Sequence, residues 1–235
     1  MHYGWLASGE RILQLLQEIP DGSKALDVGC GMVENVVALH EMKLDAYGLN
    51  MSQHLVRSAI TTLRDNHVEA TQYGLRKRIR KCDARELTRT FREKFDAVLA
   101  VYSMEFFENI EEFRSAIAEI CKSMEVGGSF VLCLSHPTTH PDYPDLHNET
   151  SMLGHKDSPL LMYSVRDVVQ ALCDHDLVVE RIVEQHTSRP SQMTYGEAKQ
   201  YPYHFHKGQN PFHTLFDTMN EQNPHTLIYK SRREK

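Results

Sequence analysis

The sequence predicts an α/β fold with a doubly wound, mostly parallel sheet, and three observations carry that reading. Short apolar runs alternate with amphipathic helical stretches from Ala25 to Glu184, the rhythm of a sheet covered on both faces. The first run, Ala25-Leu26-Asp27-Val28, ends on two glycines one residue apart, Gly29 and Gly31. A buried strand turns this way into a helix beneath a nucleotide-like ligand. The last two strands have no clear crossover helix between them, so the final strand is expected antiparallel, between the fifth and sixth. Glu34 stands where a G-x-G-x-x-G fingerprint has its third glycine, and Val33 where a G-x-G-x-G loop has it. The turn alone therefore leaves the ligand open.

Each element has a local reason. Leu6 to Ile19 places Ile12, Leu15, Leu16 and Ile19 on one helical face and is stopped by Pro20-Asp21-Gly22. Strand one is Ala25–Val28, followed by a helix from Val33 to Glu41. Ala46-Tyr47-Gly48-Leu49 is strand two, after which Ser52 caps a helix carrying Leu55, Val56, Ala59, Ile60 and Leu63. Strand three lies around Arg78–Cys82 and ends at Asp83. Phe95–Val101 is nearly all apolar, the type buried on both faces. Ile110, Phe113, Ile117, Ile120 and Met124 make the next helix, ended by Gly127-Gly128, and Ser129–Ser135 is strand five. Val165 to Asp174 is a helix, Leu177 to Glu184 strand six and His225 to Lys230 strand seven.

Composition narrows the class. The chain has 235 residues and a formal net charge of −6, enough for one α/β domain with insertions and mildly unfavourable for nucleic acid or an anionic membrane. No run approaches the ~18 apolar residues of a membrane span, and the N-terminus lacks the pattern of a signal peptide. Five cysteines, Cys30, Cys82, Cys121, Cys133 and Cys173, stand apart with no C-x-x-C pair, which suits a reducing cytoplasm.

Strand order and local motifs together resemble the class I S-adenosylmethionine-dependent methyltransferases. Leu26-Asp27-Val28-Gly29-Cys30-Gly31 looks like the first motif of that family, and Gly48-Leu49-Asn50-Met51-Ser52 falls where it has G-x-D-x-S. Lys81-Cys82-Asp83-Ala84 matches the acid and alanine after strand three, and Phe95-Asp96-Ala97-Val98 the F-D-x-V opening of strand four. Val126-Gly127-Gly128 is similar to the P-G-G turn before strand five, with Val126 replacing proline. Ser135-His136-Pro137 resembles the S-x-x-H-P exit of a small-molecule branch, two residues shorter. The resemblance implies a Rossmann-like seven-stranded sheet of order 3-2-1-4-5-7-6 and S-adenosyl-L-methionine as cofactor. It further implies a cofactor site of Asp27, Gly29, Cys30, Gly31, Asn50, Met51, Asp83, Ala84 and Tyr102.

Within that site, Gly29 and Gly31 would let the backbone approach the methionine part without a Cβ in the way. The following helix N-terminus would meet its carboxylate. Asp83 would accept from the adenine amino group, with a helix N-cap as its structural alternative. Asn50 departs from the family carboxylate that grips both ribose hydroxyls. Exchanging a charge-assisted bond for a neutral one costs on the order of 1 kcal/mol.

Methyl transfer needs alignment, exclusion of water and, for a protonated nucleophile, a base. Candidates belong at the carboxyl ends of strands four and five: His136 first as base or substrate contact, then Glu105, with Tyr102 as pocket wall. Two segments at about 137–163 and 185–224 lie outside the core sheet and read as a substrate lid on a single domain spanning 1–235. Their His140, Tyr203, His204 and His206 are substrate-binding candidates. His136, His140, Asp142, Asp145 and His147 crowd one loop, but Pro137 and Pro141 oppose a regular helix, and no metal is expected there. The run Arg76-Lys77-Arg78-Ile79-Arg80-Lys81 reads as a solvated edge; its functional alternative is RNA binding. The expectation is a cytoplasmic methyltransferase acting on a small-molecule acceptor. The rivals are an RNA methyltransferase using residues 76–81, and a protein that binds S-adenosylmethionine or S-adenosylhomocysteine without methylating.

Overall fold

The computed structural model describes residues 12–65, 72–135, 150–153, 160–185 and 226–234. A helical stretch at 12–15 (α1) precedes β1 (Lys24–Val28), α2 (Glu34–Glu41), β2 (Asp45–Asn50), α3 (Gln53–Asp65), α4 (Gln72–Arg78) and β3 (Ile79–Lys81). There follow α5 (Leu87–Thr90), β4 (Phe95–Val101), α6 (Ile110–Ser123) and β5 (Met124–Ser135). The hairpin strands β6 (Ser151–Leu153) and β7 (Leu160–Met162) lead to α7 (Val165–Cys173), β8 (Leu177–Gln185) and β9 (Thr226–Arg233).

Seven strands form one sheet in the order β3-β2-β1-β4-β5-β9-β8, with β6 and β7 in a separate pair. The first five strands are joined by four parallel pairings, and β9 enters antiparallel to both β5 and β8. With β8 and β9 counted as the sixth and seventh strands of that sheet, this is the expected order. The alternation of β4 divides the core between two layers. Val98 and Ala100 pack with Phe113, Ile117 and Tyr229, while Ala97 and Leu99 pack with Val36, Leu63 and Ile228. Side-chain caps start the helices where polar residues precede apolar stripes: Ser52 Oγ accepts the Leu55 N–H at 3.3 Å, Asn109 Oδ1 the Glu112 N–H at 2.9 Å and Ser164 Oγ the Asp167 N–H at 3.1 Å.

Three expectations need correction. Gly127-Gly128 does not end a helix; both lie inside a twelve-residue β5 that begins at Met124. The backbone there is crowded, because a Cβ on Gly128 would stand 2.9 Å from Glu125 O and 3.1 Å from Asp96 O, beside a register shift between Phe95 and Ala97. Strand three is shorter than expected, and Arg76, Lys77 and Arg78 belong to a helix before it. Nor is the basic run simply a solvated edge. Arg78 pairs with Asp45 and lies over the Tyr47 ring at 5.4 Å. Arg80 donates to Thr90 O and lies over Phe91 at 4.8 Å. The rings beneath them, Tyr47, Phe91 and Phe95, meet edge to face and form part of the core.

The tail of the first expected insertion is tied down. Thr150 and Ser164 are joined by an N–H to Oγ1 bond of 3.1 Å, and the Tyr163 hydroxyl donates to the buried Met104 carbonyl. The Tyr163 ring packs on Phe113 with centroids 4.4 Å apart. Removing only the hydroxyl strands that carbonyl, so Tyr163→Phe should cost about 1–2 kcal/mol and Tyr163→Ala about 3–5 kcal/mol. Urea unfolding followed by circular dichroism would measure both; equal stability of Tyr163→Phe and wild type would show that the bond contributes nothing.

Candidate functional site

The carboxyl ends of β1, β2, β4 and β5 converge on one edge of the sheet, where an open α/β fold places its ligand crevice. The turn after β1 uses the left-handed region three times: Gly29 at φ 78°, Gly31 at 46° and Val33 at 71°. Thus Val33 keeps the backbone of the glycine it replaces, while its side chain is fully buried. The two glycines do different work. A Cβ on Gly29 would overlap the Ser103 side chain, with Oγ at 2.9 Å, whereas a Cβ on Gly31 would meet only Gly29 O at 3.9 Å. Gly29 therefore makes room for Ser103, and only Gly31 leaves space on the ligand side. The sequence gives both glycines one role; Ser103 was missed because no local signal marks it. Its Oγ donates to Val28 O at 2.6 Å and ties β4 to β1.

Cys30 lies in the same turn, with its side chain directed into the core. Its N–H donates to Leu49 O and its carbonyl accepts the Val33 N–H, while its thiol lies against the Cα of Gly48 in the core. Burial, and then Asp27, push that thiol well above its ordinary range. Cys30 shapes the turn from below.

Asp27 is buried, with Oδ1 3.5 Å from the Asn35 amide and Oδ2 without a partner. Burial raises its pKa to about 7, opposed by Asn35 and reinforced by Glu34. Asn50 Oδ1 accepts the Ser52 N–H at 2.9 Å, and Met51 beside it is 59% exposed. Asp83 caps the 3-10 turn beginning at Ala84, and its carboxylate holds the Arg85 guanidinium through Nε at 3.0 and 3.1 Å. The Arg85 bonds hold Asp83 below the usual carboxylate range. Asp83 is thus the N-cap, a role that can coexist with the expected adenine contact, and Ala84 is buried behind it.

After β4 the chain passes through Tyr102 at φ 48°, whose N–H donates to Cys133 O at 3.0 Å. Glu105 follows in a short turn, buried, with Oε1 accepting the Ser135 N–H and Oε2 without a partner. Burial raises its pKa to about 7 against the Ser135 bonds. Phe106 beside it is 59% exposed, an aromatic wall to which sequence reading gave no role. The other expected contacts, His136, His140, Tyr203, His204 and His206, lie outside the described residues, as does the His/Asp loop 136–147. Among the described residues no cluster of His, Cys, Asp or Glu could hold a metal, and no helix is long and apolar enough to cross a membrane.

Residues 26–132 match a family described as "Methyltransferase domain". The fold is that of the class I methyltransferases. An S-adenosylmethionine-dependent methyltransferase from Clostridium acetobutylicum superposes with a TM-score of 0.65 at 11% identity, covering 100% of this chain and 93% of its own. Magnesium protoporphyrin IX methyltransferase from Synechocystis gives 0.61 at 15% identity, covering 98% and 80%. An amino pentose methyltransferase from Micromonospora echinaspora, involved in calicheamicin biosynthesis, gives 0.60 at 13% identity, covering 98% and 92%. A comparison with curated protein sequences gives no match.

The two buried acids set a pH dependence. Unfolded, they ionise near 3.8 and 4.5; folded, both stay protonated up to about 7. Between those values the folded chain binds more protons, so stability falls as pH rises through the window and levels off above about 7. Melts from pH 5 to 8 should show this decline, and Asp27→Asn with Glu105→Gln should flatten it. A second expectation concerns the glycines: Gly29→Ala should lower Tm by on the order of 10 °C, Gly31→Ala by only a few degrees, with Ser103→Gly partly rescuing the former.

Proposed function

We propose that this chain is a cytoplasmic S-adenosyl-L-methionine-dependent methyltransferase with a small-molecule acceptor. The observation that carries the reading is a half-satisfied buried carboxyl, Glu105, at the crevice of a methyltransferase domain whose first turn is open at Gly31. The residues fit the cofactor at its methionine end. Gly31 leaves room for close backbone approach, the first turn of α2 lacks a side-chain cap, and the spare Asp27 oxygen suits an ammonium group.

When bound, the cofactor supplies an electrophilic methyl group on a sulfonium. The chain's own part is to hold the acceptor opposite it and to receive a proton. A carboxyl with pKa about 7 is close to the operating pH of a general base, and Glu105 takes that role here. His136 is the alternative base or acceptor contact, and Tyr102 and Phe106 form the wall. His140, Tyr203, His204 and His206 are proposed to line the acceptor lid.

A small acceptor agrees with the commitment of Arg78 and Arg80 to Asp45, Tyr47 and Phe91, which leaves the basic run less able to grip phosphates than its sequence implies. Two structural relatives act on an amino pentose and a magnesium porphyrin. A second reading, binding without methyl transfer, draws support from the internally engaged oxygens of Asn50 and Asp83.

Calorimetric titration with S-adenosylmethionine and S-adenosylhomocysteine should give micromolar binding of both, and absence of binding overturns the proposal. Release of S-adenosylhomocysteine on incubation with small amines, phenols and thiols separates transfer from binding alone. With a transferring acceptor, Glu105→Gln should lower kcat on the order of 10²-fold while cofactor affinity stays within a factor of about two.

A further inference from the structure

At the nucleoside end of the crevice, two side chains have their acceptor atoms engaged inside the fold. Asn50 closes β2, and its Oδ1 takes the Ser52 N–H at 2.9 Å. An amide has a single oxygen, so this bond also fixes how the group is turned. Nδ2 is the atom left over. It carries two donors and has no partner among the described residues, at a half-buried position.

The neighbouring strand offers no replacement acceptor. Lys81, the register partner of Asn50 in β3, is exposed and cationic. Asp83 follows two residues later, and its oxygens take the Arg85 N–H at 2.9 Å and the guanidinium at 2.6 to 3.1 Å. That guanidinium is in turn anchored on Glu112. A carboxylate at position 50 would keep one oxygen for the Ser52 turn and offer the other to a ligand hydroxyl. Asparagine keeps the turn and presents N–H groups instead.

We propose that Asn50 makes the ribose subsite a donor site: its Nδ2 gives hydrogen bonds to the ribose oxygens, which act as acceptors, and Asn50 is the residue that sets this polarity. The inference rests on the reading of the crevice as an S-adenosylmethionine site and concerns which atoms recognise the sugar. Its consequence is selective. A ribose oxygen that has lost its hydrogen still satisfies this site, whereas a carboxylate would lose the bond.

The test is calorimetry on the full chain, wild type and Asn50→Asp, with S-adenosylhomocysteine, its 2′- and 3′-deoxy analogues and its 2′- and 3′-O-methyl ethers. Asn50→Asp retains an oxygen for Ser52, so its melting temperature should match wild type, which a parallel melt verifies. Wild type should bind at least one ether within about threefold of the parent and lose about fivefold or more with the matching deoxy compound. Asn50→Asp should bind the parent about fivefold more tightly and lose about tenfold with that same ether. If wild type loses as much with both ethers as with the deoxy compounds, the donor assignment is wrong. If neither change matters to wild type, Asn50 only forms the turn, and the proposal also fails. Silence of wild type toward the parent compound is a different failure, that of the cofactor reading itself.

Discussion

The close approach of β1 and β4 at their carboxyl ends governs the rest of the site. Ser103 sits where a Cβ on Gly29 would be and donates to the last carbonyl of β1. With the two strands pinned this tightly, neither chain can leave the sheet by an ordinary path. β1 leaves through left-handed residues at 29, 31 and 33, and β4 through Tyr102. Two of these four are not glycine, and such residues cost of order 1–3 kcal/mol each. They persist because each is held elsewhere: Val33 by complete burial and the bond from its N–H to Cys30 O, Tyr102 by the bond from its N–H to Cys133 O. The strain is stored where the ligand crevice opens.

That constraint explains what could be read in advance and what could not. Strand order follows from alternation and from the missing crossover before β9, both visible as pattern. The turn at Gly29 and Gly31 is legible because a left-handed backbone favours glycine. Why Gly29 must be glycine is not legible, since Ser103 reaches it from a strand distant in sequence. Likewise Gly127-Gly128 has the local signature of a helix stop, but the backbone of Phe95 and Asp96 packs against it and draws it into β5. Arg78 and Arg80 count as surface charge in a one-dimensional reading. Only the folded sheet shows the Tyr47 and Phe91 rings beneath their guanidinium groups, a cation–π contact that suits arginine.

The polar atoms of the crevice fall into two sets. Beyond the ends of β2 and β3, Asn50 and Asp83 spend their oxygens on Ser52 and Arg85, so local order is secured at the expense of acceptors for a ligand. At the ends of β1 and β4 the reverse holds. Asp27 and Glu105 each keep one buried oxygen unmatched, in surroundings where an unpaired carboxylate is costly enough to stay protonated up to about 7. Such groups destabilise the empty fold relative to a fully matched polar core. Their presence is understandable if a ligand supplies the missing partner.

The two sets are physically coupled through charge. Because Asn50 is neutral and Asp83 is neutralised by Arg85, the acids left to answer a cation at the crevice are Asp27, Glu34 and Glu105, each with its pKa raised by burial. A cation brought beside Asp27 favours its ionised form, so the buried acid gives up its proton as the ligand arrives. On the proposed reading, attraction to a sulfonium amino acid would depend less on the sugar than on its charged end. A neutral amide at position 50 is compatible with the proposed cofactor site for that reason: charge recognition would rest on a buried carboxyl whose ionised form an arriving cation favours.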